Sequence, residues 1–173
     1  MRRIRRGGVY FRIAEQDWTD PFDGAYSARQ GGRWNPPGSF PVVYLNRDLQ
    51  TSRANLDRKF VGLPYGPELL KPEEAPILIQ TTVQETDYVD IITDSGCLAV
   101  GLPQTYPFDD NNLEIGWDRC QPIGIRAWEG GEAGIACRSA AARDYRGEEL
   151  AFFVRIGQEL LHIERRIPFE EWR

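Results

Sequence analysis

The stretch Gly31-Gly32-Arg33-Trp34-Asn35-Pro36-Pro37-Gly38, followed by the strand-like Val42-Val43-Tyr44-Leu45, constrains this chain more than any other feature. Two adjacent glycines let a backbone approach a ligand closely. The arginine beside them offers a rigid fork of donors that suits a phosphate or a carboxylate. Tyr44 places an aromatic hydroxyl eleven residues beyond Arg33, at the end of the next strand. Glycine, arginine, amide and aromatic in so short a span indicate a nucleotide pocket rather than a surface loop.

The rest of the chain bounds what such a pocket belongs to. With 173 residues the chain reads as one domain, 1–173, large enough to bury a core without disulfide staples. Its net charge of −5 argues against a body built to grip nucleic acid, and direct DNA binding is not expected. The local exception is residues 1–7, where Met1-Arg2-Arg3-Ile4-Arg5-Arg6 reads as a basic, solvated arm. No apolar run is long enough to span a bilayer, and the arginine-rich start lacks the apolar segment of a secretion signal, so a cytoplasmic protein without membrane contact is expected. Cys97, Cys120 and Cys137 are odd in number and widely spaced. They match neither a disulfide framework nor a zinc pattern, and are read as small buried thiols with no metal to hold. His162 is the only histidine and sits in a strand-like alternation, so the chemistry is expected to run without an imidazole base.

The element pattern is mixed. Strands are expected at Gly8–Ile13, Pro41–Leu45 and Ile77–Val83, with a short element over Tyr88–Ile92. Further strands are expected at Gly134–Cys137, Leu150–Val154 and Leu160–Ile167. Asp48 is a plausible helix cap, with Leu49, Ser52, Leu56 and Phe60 at helical spacing behind it. Ile115–Trp128 reads as a second helix, broken by Pro122 and Gly124. Strands outnumber helices and the two are interspersed, so the expectation is a single α+β domain.

These residues resemble the RES domain family, named for functional arginine, glutamate and serine residues. The resemblance rests on Tyr10-Phe11-Arg12, the Gly-Gly-Arg-Trp-Asn-Pro block, Tyr44-Leu45, Gln121-Pro122-Ile123-Gly124 and Gly134-Ile135-Ala136-Cys137-Arg138-Ser139-Ala140. It implies an ADP-ribosyltransferase-like fold, a mixed β-sheet core with flanking helices. It also implies a toxin that takes NAD+ as substrate and cleaves the nicotinamide–ribose bond by hydrolysis or phosphorolysis. A cognate Xre-type helix-turn-helix antitoxin would be the partner. Two alternatives remain open: a catalytically impaired nucleotide-binding module, and an ADP-ribosyltransferase acting on a protein or RNA.

Carried onto this sequence, the resemblance implies that Arg12, Gly32 and Arg33 hold phosphates or ribose hydroxyls. Tyr44 would pack on the nicotinamide-ribose side, and Ser139 would contribute one hydrogen bond at the far wall. The family glutamate falls eleven residues beyond Tyr44, where this chain has Asn55. An amide holds a hydroxyl but offers no charge to a developing cation, so turnover should be slow and Asn55→Glu should raise it. Asp57 lies on the wrong side of the same helix. Glu148 and Glu149 are read as solvated loop acids, although either is a conceivable substitute from another element.

Overall fold

The computed structural model describes residues 1–142, 147–157 and 161–173. Its elements run β1 (Arg3–Ala14), α1 (Ala25–Gln30), β2 (Val42–Asn46), α2 (Leu49–Arg58), β3 (Ile77–Ile91), α3 (Asp94–Val100), α4 (Trp117–Glu129), β4 (Gly134–Arg138), β5 (Glu148–Phe153), β6 (Arg165–Ile167) and α5 (Phe169–Trp172). The strands form one six-stranded sheet in the order β1-β2-β5-β4-β3-β6, and β1 also pairs with β3. Five of the six therefore close on themselves, with the sixth on the outside of β3. All pairings are antiparallel except β3–β4. That parallel step needs a long crossover, which α3 and α4 supply.

Alternation along the central strands buries both faces. Val43 and Leu45 of β2, with Leu150 and Phe152 of β5, join Tyr10, Ile79 and Tyr88 in one cluster. Val42, Ala151 and Phe153 face the opposite way, joining Trp34, Phe40, Cys120, Ile123 and Ala127 beneath α3 and α4. A third cluster packs Leu56 of α2 against Leu78, Phe169 and Trp172. Register matters here because a slip of one residue would send every side chain to the other face.

Several expectations change. The basic arm is not a free terminus: Arg3 to Arg6 are paired with Val89 to Thr86 as part of β1, and Arg3, Arg5 and Arg6 form ion pairs with Glu132, Glu85 and Glu148. The elements at Ile77–Val83 and Tyr88–Ile92 are one fifteen-residue strand. Helix α4 runs unbroken through Pro122 and Gly124. Proline removes one helix hydrogen bond at a cost of ~3 kcal/mol, and burial of Cys120, Ile123, Gly124 and Ala127 on one side outweighs it. The last strand shrinks to Arg165–Ile167, leaving His162 exposed outside it; the expected start at Leu160 lies outside the described residues. All three cysteines are buried free thiols.

Candidate active site

The glycine-rich block is locked to its neighbours by a closed set of hydrogen bonds. The Tyr44 hydroxyl donates to Asn35 Oδ1 at 2.8 Å and accepts from the Trp34 amide at 3.0 Å. Asn35, fully buried, donates from Nδ2 to the carbonyls of Ser27 and Phe40 at 2.7 and 3.2 Å. A Cβ on Gly32 would stand 2.4 Å from the Tyr44 oxygen, so only glycine admits the ring there. The motif on α4 completes the arrangement. Gln121 Nε2 donates to the Gly32 carbonyl at 3.0 Å, and a Cβ on Gly124 would meet the Trp34 carbonyl oxygen at 1.6 Å. Gln121 and Gly124 thus dock helix against loop, a role the sequence motif did not disclose.

Beside this loop lies a cavity of about 390 Å³, a volume suited to part of a small-molecule ligand. Arg12, Gly32, Arg33, Tyr44 and Asn55 all line it, together with Tyr26, Arg58, Lys59, Trp117 and Glu149. Residues dispersed from β1 to β5 therefore meet in one concavity. Tyr26 and Trp117 are 63% and 49% exposed, so their rings flank the mouth. Ser139 does not line the cavity; it is fully buried, and its hydroxyl donates to Glu149 Oε1 at 2.5 Å.

Glu148 and Glu149 are the largest correction. Neither is a solvated loop acid: both belong to β5 and point to opposite faces. Glu148 turns to β1, where Oε1 accepts from Tyr10 at 3.0 Å and from Arg6 at 2.8 Å. Glu149 shares the face of Ala151 and Phe153 and is paired with Asn46 of β2. Asp48 caps α2 through the Thr51 amide at 2.7 Å, which brings Asn55 back over Asn46. Asn55 Nδ2 then donates to Asn46 Oδ1 at 2.9 Å and to Glu149 Oε1 at 2.8 Å. Asp57 lines a neighbouring groove rather than the cavity.

The two arginines differ. Arg33 is engaged: Nη1 donates to the Ile115 carbonyl at 3.0 Å, and Nη2 pairs with Glu114, which also binds Arg58 at 2.6 Å. Burial alone would raise the Glu114 carboxyl, but hydrogen bonds from Arg58 and the charge of Arg33 hold it below its ordinary range. Arg12 is unengaged. Its Nε and Nη1 are shut off from solvent with no hydrogen-bond partner among the described residues. Burial pushes its pKa down to about 10, against the opposing pull of Asp23 and Asp20, so it remains a cation at neutral pH. The Trp18 ring lies 5.5 Å from its guanidinium carbon.

Comparison with known proteins places this geometry. The RES domain model matches residues 9–171. NAD(+) phosphorylase MbcT from Mycobacterium bovis and from two strains of Mycobacterium tuberculosis is 32% identical over 110 residues, 63% of this chain and 55% of the relative. The match thus spans about half the length of these relatives. A chain in the crystal structure of the M. tuberculosis MbcT–MbcA toxin–antitoxin complex superposes with a TM-score of 0.78 at 25% identity, covering 99% of this chain and 91% of that one. The single α+β domain expected from the sequence is the fold of that structure. With the family model spanning nearly the whole chain and the arginine, tyrosine and glycine-rich loop meeting in one cavity, the protein belongs to the RES domain family.

Proposed function

We propose that this chain binds NAD+ in the cavity and cleaves its nicotinamide–ribose bond, with inorganic phosphate as the acceptor. The observation that carries the reading is Arg12. A buried guanidinium whose Nε and Nη1 have no partner among the described residues is costly unless an anion completes it, and the described residues lining the cavity include four cations, two of them paired with Glu114, against one carboxylate. A pyrophosphate fits that excess. The MbcT relatives bear the name of NAD(+) phosphorylases, which supports phosphate over water.

In the reaction, the bond between C1′ and the nicotinamide nitrogen breaks and its electron pair leaves with the ring, which becomes neutral. Positive charge develops on the ribose until a phosphate oxygen bonds C1′. Catalysis of this kind rests on positioning and on charge already in place. Arg12 would hold the pyrophosphate, and the rings of Tyr26 and Trp117 offer flat faces to a base. The locked Tyr44 loop would keep the wall rigid. No step is assigned to a metal.

The partner in this reading is an Xre-type helix-turn-helix antitoxin covering the cavity, supported by the likeness to a toxin–antitoxin complex. The test is nicotinamide release from NAD+ with and without phosphate, before and after adding the antitoxin. Phosphate-dependent release that the antitoxin suppresses is expected. NAD+ binding without release would leave a nucleotide-binding module, and label transfer to a macromolecule would mark a transferase.

A further inference from the structure

The cavity is lined by cations, amides and aromatics, and among its described lining residues there is one carboxylate, Glu149. Resting on the reading of NAD+ cleavage above, we infer that Glu149 on β5 is the catalytic carboxylate, with Asn55 and Ser139 as its positioning residues. The acid comes from a strand, and helix α2 contributes an amide in its place.

The geometry supports the aim of the carboxylate. Asn55 Nδ2 can only donate, and its nearest acceptors are Glu149 Oε1 at 2.8 Å and Asn46 Oδ1 at 2.9 Å, with the Thr51 carbonyl at 3.3 Å. This sets the orientation of the amide. Ser139, fully buried, donates to the same Oε1 at 2.5 Å. Two donors therefore converge on one carboxylate oxygen. Oε2 accepts no hydrogen bond from the described residues and is left for the ligand. The strand places Glu149 by register opposite Asn46, so the carboxylate is held at its backbone and at its head.

The chemistry needs this group. As the C1′–N bond breaks and its electrons go to nicotinamide, positive charge grows on the ribose ring. A fixed carboxylate beside it lowers that charge's energy without forming a bond, and no proton need move in the cleavage step. When a phosphate oxygen then bonds C1′, the charge is quenched and Glu149 is unchanged. Glu148, although adjacent in sequence, cannot substitute because it faces the Tyr10 side of the sheet, bound by Arg6.

The test is nicotinamide release by the full chain, with NAD+ affinity measured separately by calorimetry. Glu149→Gln keeps the shape and removes the charge; kcat is expected to fall ~10²–10³-fold, with NAD+ affinity changed by no more than a few fold. Asn55→Glu, favoured by the sequence as a gain, sets a second carboxylate against Glu149 and is expected to lower kcat. A gain would overturn the assignment. If Glu149→Gln does not fold, Ser139→Ala is the readout, expected to reduce kcat about tenfold by loosening the carboxylate, and an unchanged kcat overturns the inference. Wild-type turnover untouched by Glu149→Gln overturns the role of Glu149 alone. Wild-type protein that releases no nicotinamide overturns the cleavage reading as well.

Discussion

Replacing Arg12 by methionine should make the unliganded protein more stable and deprive it of its ligand. The side chain keeps a similar length and loses the buried Nε and Nη1, which have no hydrogen-bond partner among the described residues. Leaving such groups unpaired costs ~1–3 kcal/mol. Against this stand the contact with Trp18 at 5.5 Å, worth ~0.5–1 kcal/mol, and the attraction of Asp20 and Asp23. The balance favours methionine by up to about 2 kcal/mol, or up to roughly 8 °C in melting temperature for a domain of this size. NAD+ reverses the order. At a hundredfold excess over Kd it stabilises wild type by ~2.7 kcal/mol, whereas Arg12→Met should gain little. Thermal unfolding of both proteins, with and without NAD+, reads the crossing directly. An Arg12→Met protein that melts lower than wild type in the absence of NAD+ would refute the reasoning, because it would mean the guanidinium is already satisfied.

Gly124→Ala tests the docking of α4 on the loop. Alanine favours a helix over glycine by ~1 kcal/mol, but a Cβ 1.6 Å from the Trp34 carbonyl oxygen forces loop and helix apart at a cost of ~1–3 kcal/mol or more. The variant should melt lower and bind NAD+ less well; a higher melting temperature would show that the loop yields freely. Glu114→Gln tests the clasp on Arg33 and Arg58. Because the folded carboxyl is held below its usual value, its contribution is fully present above the unfolded pKa of ~4.3 and is lost as pH falls through the depressed folded value. The variant should be less stable at neutral pH and should lose less on acidification than wild type, with melting curves across that range as the measure. Parallel losses in both proteins would remove Glu114 from the acid response.

Much of the local structure was legible from side-chain chemistry. The Asp48 cap, the helical spacing behind it and the β-branched run from Ile77 each depend on neighbours within a few residues. They appear where expected. The glycine-rich block, Arg12 and Tyr44 were readable as members of one pocket from residue type and spacing, and Asn55 from spacing alone; all line the cavity, whereas Ser139, expected with them, lies behind it. Local rules misjudged α4, where Pro122 and Gly124 read as breaks. The helix persists because its apolar side is buried and its glycine admits the Trp34 carbonyl, and both causes lie outside the segment.

Whether each polar group is already engaged was beyond the reach of sequence. Arg12 and Arg33 are the same residue type in equally suggestive motifs, yet Arg33 is tied to Glu114 and Ile115, some eighty positions away, and the Arg12 Nε and Nη1 have no hydrogen-bond partner among the described residues. Glu148 and Glu149 are chemically identical neighbours, and strand pleating alone assigns one to Tyr10 and the other to Asn55 and Ser139. Residue order was enough to show which chemistries the chain carries and the local elements that bear them, because propensity and motif spacing act over short range. The tertiary structure decided which charges are neutralised and which carboxylate faces the cavity, because hydrogen bonding and register depend on groups brought together only by folding.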